Sequence, residues 1–195
     1  MENNKVFDLI IDFVNAIKSA ENGIVSNDGE RTYKICGPKY LLGQIIRQYE
    51  LPPEQYYVSS SAKALWETVS KDDMWKYTYR HYVKCENEKP VMIFEYTGNQ
   101  NKPSREREVS KGDGFVFRDV FHDEHMIPVS LIIDKLISLP ELNYDNVKNI
   151  LDSIYICRLL KFEDRNLPVK YKRPFDLQEV IKMYNKAGIE IEERR

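Results

Sequence analysis

The ten residues Asp119-Val120-Phe121-His122-Asp123-Glu124-His125-Met126-Ile127-Pro128 hold two of the three histidines in the chain together with three carboxylates. That mixture suits metal-assisted hydrolysis. A neutral imidazole accepts a proton from water near physiological pH, and carboxylate oxygens suit a hard divalent cation such as magnesium, manganese or calcium.

The 195 residues suit one medium domain with a substantial apolar core, and 42% hydrophobic with 31% charged residues argues against a mainly disordered chain. A net charge of −2 offers nucleic acid no global attraction, so any such binding needs a local basic surface. The first apolar run, Val6 to Ile17, is broken by Asp8, Asp12 and Asn15 and lacks a small-residue cleavage site after it, unlike a secretory signal. A cytoplasmic location and no membrane span are expected. Cys36, Cys85 and Cys157 are odd in number and widely spaced, which disfavours a disulfide framework or a zinc knuckle and predicts structural cysteines. Neither a Walker loop nor a dinucleotide-binding glycine motif occurs.

Val6, Leu9, Ile10, Phe13, Val14 and Ile17 recur at helical spacing and predict a helix over residues 4–20, stopped at Asn22-Gly23. After a turn at Asn27-Asp28-Gly29, Tyr40 to Tyr49 predicts a second helix closed by Pro52-Pro53, and Ala62 to Val69 a third. Alternation from Tyr77 to Lys84 and the run Val91 to Tyr96 predict strands. Thr97 to Gly114 reads as a polar surface loop whose Lys102, Arg105, Arg107 and Lys111 could meet phosphates, offset by Glu106, Glu108 and Asp113. Phe115 to Phe121 predicts a strand entering the acidic-histidine segment, and Pro128 a helix start leading through Leu139. A helix over Tyr144–Leu151, a buried strand over Ile154–Leu160, a short helix from Phe162 and a last helix capped by Asp176 and Glu179 follow. Trp66, Trp75, Tyr77, Tyr79 and Tyr82 could pack a core or stack on bases.

Phe117-Arg118-Asp119-Val120-Phe121-His122-Asp123-Glu124-His125-Met126-Ile127-Pro128 resembles the first active-site element of the HNH, or His-Me finger, nucleases. Ile156 to Leu167 looks like the strand and short acidic helix that complete that site, so the resemblance covers roughly residues 115–190. It implies His125 as general base, Glu124 as first ligand of a divalent ion, and Asp164, with Glu163 as near alternative, as second ligand. Asn149 is matched to the middle asparagine among Asn143, Asn146 and Asn149, and an acid stands where the family has its final histidine. His122 takes an accessory role in binding metal or orienting substrate, and Arg118 joins the loop cations as a nucleic-acid contact. Strand geometry adds a demand: adjacent residues face opposite ways, so Glu124 and His125 converge only at a bend or strand end.

The expected fold is α+β, with N-terminal helices, central antiparallel strands and a divergent ββα-metal core carrying a helical insertion. Residues 1–114 would form a helical and β region packed on the core of residues 115–195. The expected function is metal-dependent endonuclease cleavage of DNA, with RNA as another substrate, Mg or Mn as the ion, and homo-oligomerisation left open. The alternatives are a noncatalytic nucleic-acid-binding or protein-interaction module on the same framework, or a PD-(D/E)xK nuclease around Glu95, whose acid-x-Lys element is not evident.

Overall fold

The computed structural model of the chain describes residues 3–19, 26–27, 32–33, 38–97, 102–169 and 172–194. The expected helix stop at Asn22-Gly23, the Asp28-Gly29 part of the turn and Cys36 lie outside the described residues. In chain order the elements are α1 (Asn3–Ser19), β1 (Ser26–Asn27), β2 (Thr32–Tyr33), α2 (Pro38–Ile46), β3 (Tyr56–Ser59), α3 (Ser60–Val69), β4 (Tyr82–Lys84), β5 (Val91–Glu95), β6 (Arg105–Val109) and β7 (Gly114–Val116). They continue with α4 (Phe117–Val120), β8 (Phe121–His125), α5 (Val129–Ser138), α6 (Tyr144–Leu151), β9 (Ile156–Leu160), α7 (Lys161–Asp164), α8 (Leu177–Lys186) and β10 (Ile191–Glu193). The class is mixed α+β.

A four-stranded sheet in the order β10-β3-β9-β8 divides two apolar cores. The central pair, β3 and β9, is parallel, whereas β10 runs antiparallel to β3 and β8 antiparallel to β9. Alternation along the strands sorts the side chains. Tyr57, Cys157 and Leu159 join the core built from α1, α2, α5, α6 and α8, while Val58, Leu160 and Phe121 join the core under α3 and the small β-ribbons. Because β3 lies between β9 and β10, residues 56–59 complete the sheet that carries the downstream segment.

Local signals explain the helices. Val6, Ile10 and Val14 of α1 are buried as their spacing requires, although Leu9 is exposed and Phe7 fills the core instead. The Ser59 hydroxyl accepts from Ala62 N at 3.1 Å to cap α3, the Asn143 side chain from Asn146 N at 2.9 Å to cap α6, and Asp176 from Glu179 N at 3.0 Å to cap α8. Gly43 of α2 faces α5, where an added Cβ would meet Ile133 Cδ1 at 3.4 Å, an ordinary contact distance.

Several strand expectations are corrected. The alternation from Tyr77 yields a strand only at β4, because residues 74–76 form a 3-10 turn and the Thr78 amide donates to His81 Nδ1 at 2.8 Å, turning the chain. The Thr97–Gly114 loop contains β6, which pairs with β5 in a hairpin where Ile93 and Val109 are buried and Arg107 meets Glu95 at 2.9 Å. The Phe115–Phe121 strand is broken by the single turn α4, whose Phe117 and Val120 enter the second core. The sheet's β3 and β10 have no counterpart in the expected elements.

Arg158 on β9 locks the second layer to the sheet. It is only 3% exposed, yet its Nε and Nη2 reach Asp123 at 2.6 and 2.9 Å, and its Nη1 and Nη2 donate to the carbonyls of Met74 at 2.6 Å and Tyr77 at 3.1 Å. The guanidinium also lies 4.4 Å from the Trp75 ring centroid and 4.6 Å from that of Phe117. Truncation strands two carbonyls and a carboxylate. Arg158→Ala should therefore destabilise the protein by about 3 kcal/mol in urea unfolding, and Asp123→Asn, at a partly exposed position, by roughly 1 kcal/mol. Equal, small losses for both variants would show that Arg158 does not act as this tie.

Candidate metal centre

Among the described residues β8 is an edge strand paired only with β9, in the register His122↔Leu159, Asp123↔Arg158, Glu124↔Cys157 and His125↔Ile156. Its alternation puts His122 and Glu124 on one face, and Phe121, Asp123 and His125 on the other. β9 then runs directly into α7, which brings Asp164 back to the Glu124 face. The ligand atoms of His122, Glu124 and Asp164 all lie within 4.8 Å of one another.

Glu124 is the buried centre of this group at 4% exposure. Its Oε1 is paired with Nη1 of Arg173, itself buried, and its Oε2 stands 3.0 Å from His122 Nε2. Arg173 is held by a bond from its Nε to the Pro168 carbonyl at 3.0 Å. Both oxygens of a carboxylate taken from water are thus engaged by donors, as burial of a charge requires. Burial pulls the His122 pKa down, but the hydrogen bond to Glu124 and the charges of Asp164, Glu124 and Asp123 outweigh it, so the net direction is upward.

The donors suit a hard or borderline divalent ion, being one imidazole nitrogen and two carboxylates. His122, Glu124 and Asp164, with ligand atoms within 4.8 Å of one another, are the residues that would hold such an ion.

A cleft of about 570 Å³ opens beside the cluster, lined by His122, Glu124 and His125 together with Arg47, Arg118 and Tyr79, among others. The Arg118 guanidinium lies 5.0 Å from the Tyr79 ring centroid, and Tyr79 is exposed. His125 is on the face of β8 opposite Glu124, but at the strand end it lines the same cleft.

The other residues singled out in the sequence fall elsewhere. The Glu163 carboxylate is buried and accepts from the Ser59 hydroxyl at 2.6 Å and Leu160 N at 2.8 Å, tying α7 to β3 and β9. Asn149 is exposed on α6 and is not among the residues lining the cleft. Arg107 is held by Glu95 and the Gly114 carbonyl, and Lys111 pairs with Glu88 at 2.6 Å, while Lys102 and Arg105 are exposed on or beside β6. Glu95 is thereby engaged in the hairpin. Cys85 and Cys157 are free and buried, and burial pushes the Cys157 thiol well above its ordinary range. Trp66 is core, whereas Tyr79 and Tyr82 are exposed.

Arg173 was absent from the sequence-based expectations, and His122 was named there as an accessory residue without its bond to Glu124. Arg173 carries no motif, sitting between Lys172 and Pro174 with nothing to link it to Glu124. His122 as a partner of Glu124 did have a signal, the two-residue spacing on one strand. Comparison with protein-family models, curated proteins and solved structures found no match to the chain.

The raised His122 pKa has a consequence for the metal-free protein. A histidine with a folded-state pKa above its unfolded value of about 6.5 contributes stability fully below that value and loses it as pH rises through the folded pKa. The urea midpoint in the presence of chelator should therefore fall as pH is raised above 6.5, and His122→Gln should flatten that part of the profile. An unchanged slope in the variant would remove the His122–Glu124 bond from the account.

Proposed function

We propose that this protein is a divalent-metal-dependent endonuclease acting on DNA, with a divergent HNH-like arrangement formed by β8, β9 and α7. The observation that carries the reading is the convergence of His122 and Glu124 from the edge strand with Asp164 from the turn of helix after β9. The order strand, antiparallel strand, short helix, with α5 and α6 inserted between the strands, is the order that the resemblance implies.

In this reading His122, Glu124 and Asp164 hold the ion, so His122 moves from accessory residue to ligand. Mg or Mn bound there would stabilise charge on the phosphoryl oxygens and on the leaving alkoxide. His125, at the strand end, takes the proton of the attacking water as its oxygen adds to phosphorus and the bond to the leaving oxygen breaks. Arg118 faces the cleft as a cation for the phosphate, with Tyr79 beside it as a stacking surface. Arg173 positions Glu124 and neutralises part of the buried charge without touching substrate. RNA shares the phosphodiester chemistry and is the second substrate to test.

The Arg173–Glu124 pair favours one competing reading. A buried glutamate already matched by arginine and histidine is also what a noncatalytic nucleic-acid-binding module would keep as a structural ion pair. Calorimetric titration with Mn²⁺ separates the two. Asp164→Asn, at a half-buried position, should weaken Mn²⁺ binding at least tenfold, because a charged ligand is lost while Glu124 keeps its partners. His125→Ala should retain Mn²⁺ and lower cleavage of plasmid and single-stranded DNA by 10²-fold or more. Absence of Mn²⁺ binding by the parent protein, or full cleavage by His125→Ala, would refute the corresponding assignment.

A further inference from the structure

Beyond the metal ligands, two cationic side chains meet at Tyr96, just past the end of β5, and a third, Arg118, stands on the short helix bonded to it. Lys161, the first residue of α7, donates from Nζ to the Tyr96 carbonyl at 3.0 Å. The Arg165 guanidinium lies 4.2 Å from the Tyr96 ring centroid. Tyr96 N donates to the Asp119 carbonyl at 2.7 Å, which ties this point to α4 and its Arg118. One tyrosine thus joins a residue on each side of Asp164 to a cation of the cleft.

This grouping is electrostatically incomplete. Burial lowers the Lys161 pKa, and the charges of Arg165 and Arg118 lower it further against the opposing pull of Asp119 and Asp164. Asp119 stands 3.7 Å from Arg118, whose side chain remains 42% exposed. Arg165 Nη1 is buried without a hydrogen-bond partner, one of two such side-chain atoms among the described residues. A buried donor left unpaired on a cation that shares Tyr96 with Lys161 calls for an anionic acceptor.

We propose that Arg118, Lys161 and Arg165 form a phosphate-binding subsite on the Asp164 side of the metal centre, taking a backbone phosphate of a nucleic-acid strand next to the one cleaved. The assignment deepens the nuclease reading and rests on it for the identity of the strand. Arginine forks and a lysine point charge are the groups that recognise phosphate oxygens. Arg118 on α4 lines the cleft, while Lys161 and Arg165 stand at the two ends of α7, an arrangement that would hold a strand in register without reading its bases.

The test is fluorescence anisotropy with a labelled twelve-residue thymidine oligonucleotide in EDTA, where no metal contributes. Lys161→Gln and Arg165→Gln should each weaken binding about tenfold and reduce the salt slope by roughly 0.7, the value of one single-strand phosphate contact. Arg165→Lys, retaining charge, should keep the slope, and Lys182→Gln on α8 should change nothing. Circular dichroism confirms folding of each variant, and Lys161→Gln stands as the independent probe if Arg165→Gln unfolds. Parent-like affinity and slope in the Lys161 and Arg165 variants would overturn the subsite, as would failure of the parent protein to bind the oligonucleotide. Inorganic phosphate binding as tightly as the oligonucleotide would assign the site to a free anion and overturn the strand. Parallel Mn²⁺ calorimetry keeps the two readings apart. Mn²⁺ binding with variant-insensitive oligonucleotide binding removes only the subsite, and Arg165-dependent oligonucleotide binding without Mn²⁺ binding removes the nuclease reading.

Discussion

A carboxylate at 4% exposure governs the arrangement around it: Glu124 has to be matched from several directions or the edge of the sheet could not keep it charged. Arg173 meets one oxygen and His122 the other, while Asp164 brings a second negative charge close by. Each partner comes from a different stretch of chain. Holding them together requires β8 in register on β9, α7 immediately after β9, and the segment before α8 folded back so that Arg173 reaches inward.

The sheet makes this possible by separating two environments. One face of β8 and β9 looks into the helical core, where Glu124, Cys157 and Leu159 lie, and the other carries the Asp123–Arg158 pair into the layer of α3 and the ribbons. A one-residue slip of β8 would exchange His122 and Glu124 for Asp123 and His125 and place the wrong carboxylate against Arg173. The bidentate Arg158–Asp123 contact opposes that slip, because it is satisfied in only one register. The Asp123–Arg158 tie on one face of the sheet and the His122–Glu124 pair on the other are thus coupled through the pleat.

What could be read from the sequence follows the range of the interactions involved. Helices α1, α6 and α8 were legible because their apolar spacing and their Asn143 and Asp176 caps act within a few residues. The strands β3 and β10 were not, since a four-residue and a three-residue segment become strands only by pairing with partners far away in sequence. β6 was obscured by its charge: Arg105-Glu106-Arg107-Glu108 reads as a polar loop until Glu95 is placed opposite Arg105 and in reach of Arg107. In the site, the choice between His122 and His125 as neighbour of Glu124 is decided by the period of a strand, whereas the family resemblance gave priority to the adjacent histidine. Glu163 and Asp164 were indistinguishable by type. The structure separates them through the Ser59 hydroxyl and Leu160 amide that engage Glu163.

The central claim is that His122, Glu124 and Asp164 share one divalent ion. A crystal grown with Mn²⁺ and measured at the manganese absorption edge tests it directly. One strong anomalous peak is expected about 2.1–2.2 Å from His122 Nε2, Glu124 Oε2 and an Asp164 oxygen, with Arg173 still on Glu124 Oε1. A crystal with no peak there, and with His122 still hydrogen-bonded to Glu124 in millimolar Mn²⁺, would contradict it.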